Sequence, residues 1–312
     1  MNVTLFGIDL VINPIAFTLP IGKNGWDVYW YGIIIATGFL LALLYAYKNA
    51  SRFNLVIDRM LDVVLVVVPI AILSARAYYV IFDGEKIHSI KEFFGFGSSS
   101  GFSGIAIYGG VIGAFVSGAI MCKLRKVNIL DMFDIASIGF IIGQGVGRWG
   151  NFMNQEAYGS FTGSSWWGMQ SDRTIREMGE GLVHPCFLYE SVWCIIGFFI
   201  LNHFSKKRKF SGQIFLMYGA WYGFGRAFIE LLRTDSLMLG KIRVSSLLSF
   251  VVCITALVLL YIFLKRSREI AVEGDYEEIF EQENETELIG EEISEDVIEE
   301  NKDAEEENNE AD

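Results

Sequence analysis

Seven stretches of this chain are too long and too apolar for anything but a bilayer. They run roughly Tyr29–Tyr47, Leu61–Phe82, Ile105–Leu124, Asp131–Gly147, Phe187–Phe204, Gly212–Leu232 and Val244–Leu264. A helix needs about 20 residues to cross the hydrocarbon core. At that depth no water satisfies a backbone N–H or C=O, so each stretch must close its hydrogen bonds within itself, as a helix. The expected fold class is an all-α membrane protein, a bundle of seven transmembrane helices. Glycine and polar residues interrupt the fourth and sixth stretches, and the second carries Arg76, which needs a partner in lipid.

Charge divides the chain into three parts. Residues 269–312 hold 21 acidic residues and one lysine; without them the formal charge of −12 becomes +8. Dense like charge with few aromatics predicts a disordered tail. Residues 1–28 lack a basic segment followed by a continuous apolar core, so no cleavable signal peptide is expected. They are read as an exterior or interfacial segment, leaving 29–268 as the membrane domain. Lysine and arginine in the connecting loops set orientation. Lys48, Arg52, Arg59, Lys123, Arg125, Lys126, Lys206, Lys207, Arg208, Lys209, Lys265, Arg266 and Arg268 fall on one alternate set of loops. The longer opposite set carries Lys23, Lys86, Lys91, Arg173, Arg176, Lys241 and Arg243. The first set is expected in the cytoplasm, with the N-terminus outside and the C-terminal tail inside.

Polar residues inside such a protein are functional candidates by default. The fourth stretch runs into Gly147-Arg-Trp-Gly-Asn-Phe-Met-Asn-Gln-Glu156, which gathers Arg148, Asn151, Asn154 and Glu156. A guanidinium's planar fork suits a phosphate, so a phospholipid ligand is expected. In the sixth stretch Tyr222, Arg226, Glu230 and Arg233 share one helical face. Glu230 can pair with either arginine. Tyr31 and Tyr108 open the first and third stretches, where tyrosines also serve as interface anchors. His184 and Pro185 open the fifth, and Glu190 lies one to two turns inside it, with Arg76 as one candidate partner. Glycines at helical spacing (Gly109 and Gly113; Gly139, Gly143 and Gly147; Gly219 and Gly223) predict close helix contacts around a polar cavity. The cysteines Cys122, Cys186, Cys194 and Cys253 show neither disulfide nor metal spacing, and His88, His184 and His203 form no cluster.

These elements together resemble the prolipoprotein diacylglyceryl transferase family, over nearly the whole chain to about Lys265. The most specific element is Gly147–Glu156 with Gly159. Trp30-Tyr-Gly32, Tyr108-Gly-Gly110, His184-Pro with Leu188-Tyr-Glu190, and Tyr222-Gly-Phe-Gly-Arg226 with Glu230 and Arg233 support it. The resemblance implies transfer of the diacylglyceryl group of phosphatidylglycerol to the lipobox cysteine in a prolipoprotein signal peptide, at the exterior face of a bacterial plasma membrane. Membrane lipid is a partner; no metal, cofactor or nucleic acid is expected. It makes Arg148 and Arg226 the catalytic candidates. Asn151, Glu156, Tyr31, Tyr222 and Gly159 would bind substrate with Arg148, and Glu230, Asn154, His184 and Glu190 would support them. Glu156 is expected to orient Arg148 or the lipid headgroup.

One departure stands out. Many members carry a histidine, often taken as the base, where this chain has Tyr108. A phenol titrates near about 10 rather than about 6.5. Tyr108 is therefore either a catalytic candidate with an unusual base or a residue that positions lipid. A thiol with a pKa of about 8.5 is already a few per cent thiolate at neutral pH. A transporter of a lipid or small anion is the alternative reading, weakened by the lack of an internal repeat.

Overall fold

The computed structural model describes residues 1–20, 25–82, 93, 104, 106–234, 238–239 and 242–270. The sequence readings on Lys23, Lys86, His88, Lys91, Lys241 and the tail beyond 270 lie outside the described residues. The protein is mostly helical, and every one of the seven apolar stretches contains a helix. These are α1 (Trp30–Asn49), α2 (Ile57–Phe82), α3 (Ile107–Leu124), α4 (Ile129–Met153), α6 (Cys186–Ser205), α7 (Gln213–Leu232) and α8 (Val244–Ile270). A short helix, α5 (Asp172–Met178), lies between α4 and α6. Among the described residues, five helices are long and apolar enough to cross a membrane: α1 with the 3-10 turn that follows it, α2, α4, α6 and α8. α3 is shorter, and α7 carries Arg226 and Glu230. The chain clusters into two units, Met1–Leu260 and Tyr261–Asp312; of the second, the described part is the end of α8.

The helices agree with an all-α membrane protein, and residues 1–20, read as an exterior or interfacial segment, add short strands to it. β1 (Asn2–Leu5) pairs antiparallel with β2 (Ile8–Val11) and, on its other side, with β5 (Met169–Ser171). β3 (Ile15–Leu19) pairs with β4 (Trp26–Tyr29), which leads into α1. Val3 and Ile12 are buried with Phe152, Tyr158, Met169, Val183 and Phe187. Four-residue strands give too short a polar–apolar alternation to be legible, and long-range pairing to β5 supplies what local pattern lacks. The pairing also places the N-terminal strands on the same side as the α4–α6 connection.

α2 packs on α3, α1 on α4, α4 on α6, and α6 on α7. In the α2–α3 seam a Cβ at Gly109 would lie 2.3 Å from Tyr78 Cβ and 2.5 Å from the Ser74 carbonyl, so only glycine allows this approach. At Gly143 the close approach comes from α1: a Cβ on Gly38 would lie 3.4 Å from Gly143 Cα, while a Cβ on Gly143 itself would meet nothing within 4 Å. Trp193 of α6 and Trp221 of α7 stack at 4.1 Å, and each indole N–H donates to the other's carbonyl at 3.0 Å. Away from the N-terminal strands, Arg208 pairs with Asp131 at 2.6 Å and Asp134 at 2.8 Å. Asp134 also accepts from the Gly212 and Phe215 amides, satisfying donors at the start of α7. All four cysteines are buried, and none is in a disulfide among the described residues.

Candidate functional site

α4 does not stop at Gly147. It continues to Met153, so Arg148 and Asn151 sit one turn apart inside the helix rather than in a loop. Arg148 Nη1 donates to Asn151 Oδ1 at 3.4 Å, and its Nη2 pairs with Glu190 of α6. Glu190 is 2% exposed and gathers two more guanidiniums: Arg226 of α7 at 2.7 Å and Arg233 at 3.5 Å. Arg226 Nη2 reaches Glu230 Oε2 at 2.6 Å, one turn on. Among the described residues, three arginines thus gather on Glu190 and Glu230 in a largely dry place. Buried charges are expensive unless paired and hydrogen-bonded, and guanidiniums held in this way can offer their remaining N–H donors to an incoming anion.

Two sequence readings are corrected here. Arg76 is not brought to Glu190; it donates to the backbone carbonyls of Phe93 at 3.2 Å and Gly104 at 3.0 Å. Glu156 is not brought to Arg148 either, but pairs with Arg173 of α5 at 3.4 Å. The reason is a turn in which Gln155 and Ala157 both adopt positive φ (56° and 57°), swinging the chain away from the α4 axis after Asn154. Glu230 pairs with Arg226, and Arg233 reaches Glu190.

Arg148 and Asn151 border two cavities of opposite character. An apolar cavity of about 640 Å³ descends between α1, α2, α3 and α4, with Ile35, Val67, Phe115 and Gly143 on its walls and Tyr31, Gln144, Arg148 and Asn151 among the polar residues that line it. A polar cavity of about 440 Å³ is lined by the same Arg148 and Asn151 with Glu156, Tyr158, Arg173, Glu177 and Arg233. The cluster of arginines therefore sits where a chain-bearing molecule would change from tail to head. The shape and the single seam of polar groups match an amphiphile better than a small anion.

The wall of the polar cavity is built by α5. Ser171 caps this helix in a reciprocal pair with Thr174, and Asp172 accepts from the Asn2 amide at 2.7 Å. Arg173 Nε donates to Glu177 at 2.8 Å, and its backbone N–H donates to Gln155 Oε1 at 3.1 Å. The Tyr158 hydroxyl also donates to Glu177. The Tyr158 hydrogen bond and then Arg173 hold the Glu177 carboxyl below the usual carboxylate range, and Glu177 in turn raises Arg173. Sequence reasoning missed Tyr158, Arg173 and Glu177. The Arg-x-x-x-Glu spacing was visible, but nothing local placed it against Glu156.

The remaining candidates divide into neighbours of the cluster and residues that hold its frame. Tyr31 lies against α4, where a Cβ at Gly150 would come within 2.9 Å of its ring. Tyr222 precedes Arg226 by one turn and stacks on Tyr218 at 5.7 Å; Gln144 donates to that Tyr218 hydroxyl at 2.9 Å. Gly159 is packed: a Cβ would lie 2.7 Å from the Leu232 carbonyl and 2.9 Å from both Cys186 Sγ and His184 Cβ. It also forms a bridge with Arg233, so it sets where that arginine starts. Asn154 ends α4, and His184 Nδ1 lies 3.1 Å from the Tyr189 hydroxyl, which accepts from Trp167 at 2.8 Å. Tyr108 stands apart at the start of α3. It is 52% exposed and lines neither cavity. Arg243, read in the sequence only as a loop cation, donates to the carbonyls of Glu230 and, at 2.6 Å, Arg233, closing the C-terminal end of α7.

Comparison with known proteins finds relatives over most of the chain. Residues 14–262 match the family model of prolipoprotein diacylglyceryl transferase. The chain is 39% identical over 262 residues to a protein of Clostridium novyi (strain NT) named phosphatidylglycerol–prolipoprotein diacylglyceryl transferase, covering 80% of this chain and 95% of that one. It is 41% identical over 269 residues to the protein of the same name from Limosilactobacillus reuteri (strain DSM 20016), covering 82% and 93%. A third, from Clostridioides difficile (strain 630), is 39% identical over 241 residues, covering 77% and 91%. By the length and strength of these matches, the chain belongs to the prolipoprotein diacylglyceryl transferase family.

Proposed function

We infer that this protein transfers the diacylglyceryl group of phosphatidylglycerol to a prolipoprotein cysteine. The observation that carries the inference is the position of Arg148 and Asn151, shared by an apolar cavity and a polar one. The acyl chains occupy the first, the glycerol headgroup the second, and the phosphate lies between them at the arginines.

The nucleophile is the substrate's own thiolate. Its sulfur attacks the glycerol carbon that bears the phosphate ester; the S–C bond forms, the C–O bond breaks, and its electron pair stays on the departing phosphate oxygen. The products are a thioether-linked diacylglyceryl peptide and glycerol phosphate. The thiol proton leaves to solvent before attack. The barrier lies in the charge gathering on the leaving phosphate, which positioned donors in a dry site stabilise without reorganising. Arg148 with Asn151 holds the phosphate, and Arg226 stabilises the leaving group or the thiolate. Glu190 and Glu230 fix the two guanidiniums, and Tyr222 packs beside Arg226.

The wider setting is a seven-helix bundle in the bacterial plasma membrane. Residues 1–28 and the α4–α6 connection are exterior, and residues 269–312 form a cytoplasmic acidic tail. Two facts support this orientation: the Lys/Arg asymmetry of the loops, and the β1–β5 pairing that puts both exterior segments on one side. Cysteine labelling of Gly179→Cys from outside and Ser205→Cys from inside tests it; the reverse pattern would put the site on the wrong face for a secreted substrate.

The reaction is tested with purified protein, phosphatidylglycerol vesicles and a lipobox peptide. The expected outcome is a diacylglyceryl mass gain on the cysteine with stoichiometric glycerol phosphate. Lipid or anion flux across the vesicles, with no thioether formed, would favour the transporter reading instead.

A further inference from the structure

The strand order β2–β1–β5 leaves β2 at the end of its sheet. Met1 and Ile12 exchange both main-chain hydrogen bonds, at 3.1 and 2.8 Å. Such pairs alternate along an antiparallel ladder. Val3–Leu10 and Leu5–Ile8 are therefore the next bonded pairs, and in Asn2–Val11 and Thr4–Asp9 the main chain of each residue points away from its partner. On β1 those outward groups face β5, and the Asn2 amide meets Asp172. On β2 the N–H and C=O of Asp9 and Val11 face no further strand among the described residues. All four β2 residues are exposed, Val11 by 84%. Leu10 lies opposite the buried Val3, on the core-facing side of the sheet, and is still 39% exposed. With Ile8 it forms an apolar ledge beside the open edge.

An open row of main-chain donors and acceptors is a template for one more strand. The sheet also runs straight into the polar cavity: Ser171 ends β5, and Arg173 on the cavity wall is two residues further. We propose that the β2 edge binds the segment of the acceptor peptide that follows its cysteine, as an added strand paired with Asp9 and Val11 and resting on Ile8 and Leu10. The inference rests on the reaction described above, which brings a peptide to this face with its cysteine at the arginines. Neighbouring strands lie about 4.8 Å apart, so the added strand is three spacings, about 15 Å, from β5. An extended chain covers that distance in about five residues. Main-chain hydrogen bonds give affinity whatever the side chains are, which suits acceptors of differing sequence. A second copy of this chain is the competing occupant, and the continuity of the sheet with the cavity wall favours the peptide.

The test uses the full-length protein, phosphatidylglycerol vesicles and two lipobox peptides, one ending about two residues after the cysteine and one continuing for about twelve. The longer peptide should show a KM about tenfold lower at unchanged kcat, a factor that one or two net hydrogen bonds supply. Single N-methylation of amides along the extension should raise KM about fivefold at alternate residues and leave those between unmoved, because successive N–H groups of a paired strand point to opposite sides. Val11→Pro removes an outward N–H and leaves the bonds to β1 in place. It should raise the KM of the longer peptide about fivefold and leave that of the shorter one unmoved. The N-methyl scan uses the unaltered protein, so it stands even where Val11→Pro folds poorly. A flat scan, or equal KM for the two peptides, overturns the edge role and leaves the reaction standing. Loss of a dimer in Val11→Pro with the longer peptide's KM unmoved gives the edge to a second copy and overturns the proposal in the same way. Absence of transfer by the unaltered protein overturns both.

Discussion

Replacing Glu190 by glutamine removes a single charge from beneath three guanidiniums while keeping the side chain's shape. In the native cluster Glu190 pairs with Arg148, with Arg226 at 2.7 Å and with Arg233 at 3.5 Å, and is itself 2% exposed. Among the described residues the variant leaves Glu230 as the carboxylate beside the three arginines, and an amide N–H₂ replaces an acceptor. Breaking a buried ion pair on one side costs about 3–5 kcal/mol. Part of this cost is recovered if the arginines swing towards water in the polar cavity, so a stability loss of about 3 kcal/mol is expected from that range. The kinetic consequence is more diagnostic. The site gains net positive charge, so KM for the anionic lipid should hold steady or fall. The arginines, no longer fixed, lose their aim at the leaving phosphate, so kcat should drop about 10²-fold, comparable to losing one preorganised donor. Thermal unfolding in detergent and steady-state transfer to a lipobox peptide measure both. A variant with normal kcat and a raised KM would show that Glu190 binds lipid itself and does not aim the arginines, which would refute the assignment.

Three further outcomes follow from the same geometry. Arg148→Lys with Arg226→Lys should lose more than about 10²-fold in transfer, because an ammonium cannot reproduce a two-pronged donor; near-native turnover would end the phosphate-clamp reading. Gly159→Ala forces a methyl against the Leu232 carbonyl at 2.7 Å and should cost about 1–3 kcal/mol, read as a lower unfolding temperature with Arg233-dependent activity impaired. Tyr108→Phe should retain measurable transfer, since Tyr108 is half exposed and lines neither cavity; complete loss in a folded variant would hand it the base role.

How much of this was legible in the sequence depends on whether a residue's partner is near it in the chain. The helices follow from apolar length, and the Arg226–Glu230 pair follows from helical spacing, so both can be read directly. Glu190 could be flagged as a buried charge needing a partner, but nothing local chooses Arg148 and Arg226 over Arg76. Only the packing of α4 and α7 against α6 decides that. The positive φ of Gln155 and Ala157 carries Glu156 away from Arg148, and neither residue type announces that conformation. Arg173 and Glu177 belong to a seven-residue helix too short for any hydrophobic period to reveal. The Asp134 contacts to the Gly212 and Phe215 amides are likewise invisible until α4 and α7 are neighbours.

α7 is held at both ends, by Asp134 on its first amides and by Arg243 on its last carbonyls. A helix pinned in this way acts as a ruler. With a rise of about 1.5 Å and a turn of about 100° per residue, the eleven steps from Phe215 to Arg226 fix both the depth and the direction of that guanidinium. Adding one residue between them would keep every side chain chemically intact and yet turn Arg226 by about 100°, off the Glu190 carboxylate. The length of this segment is thus as much a part of the site as the arginine it carries, and a change in count there does more harm than a change in kind.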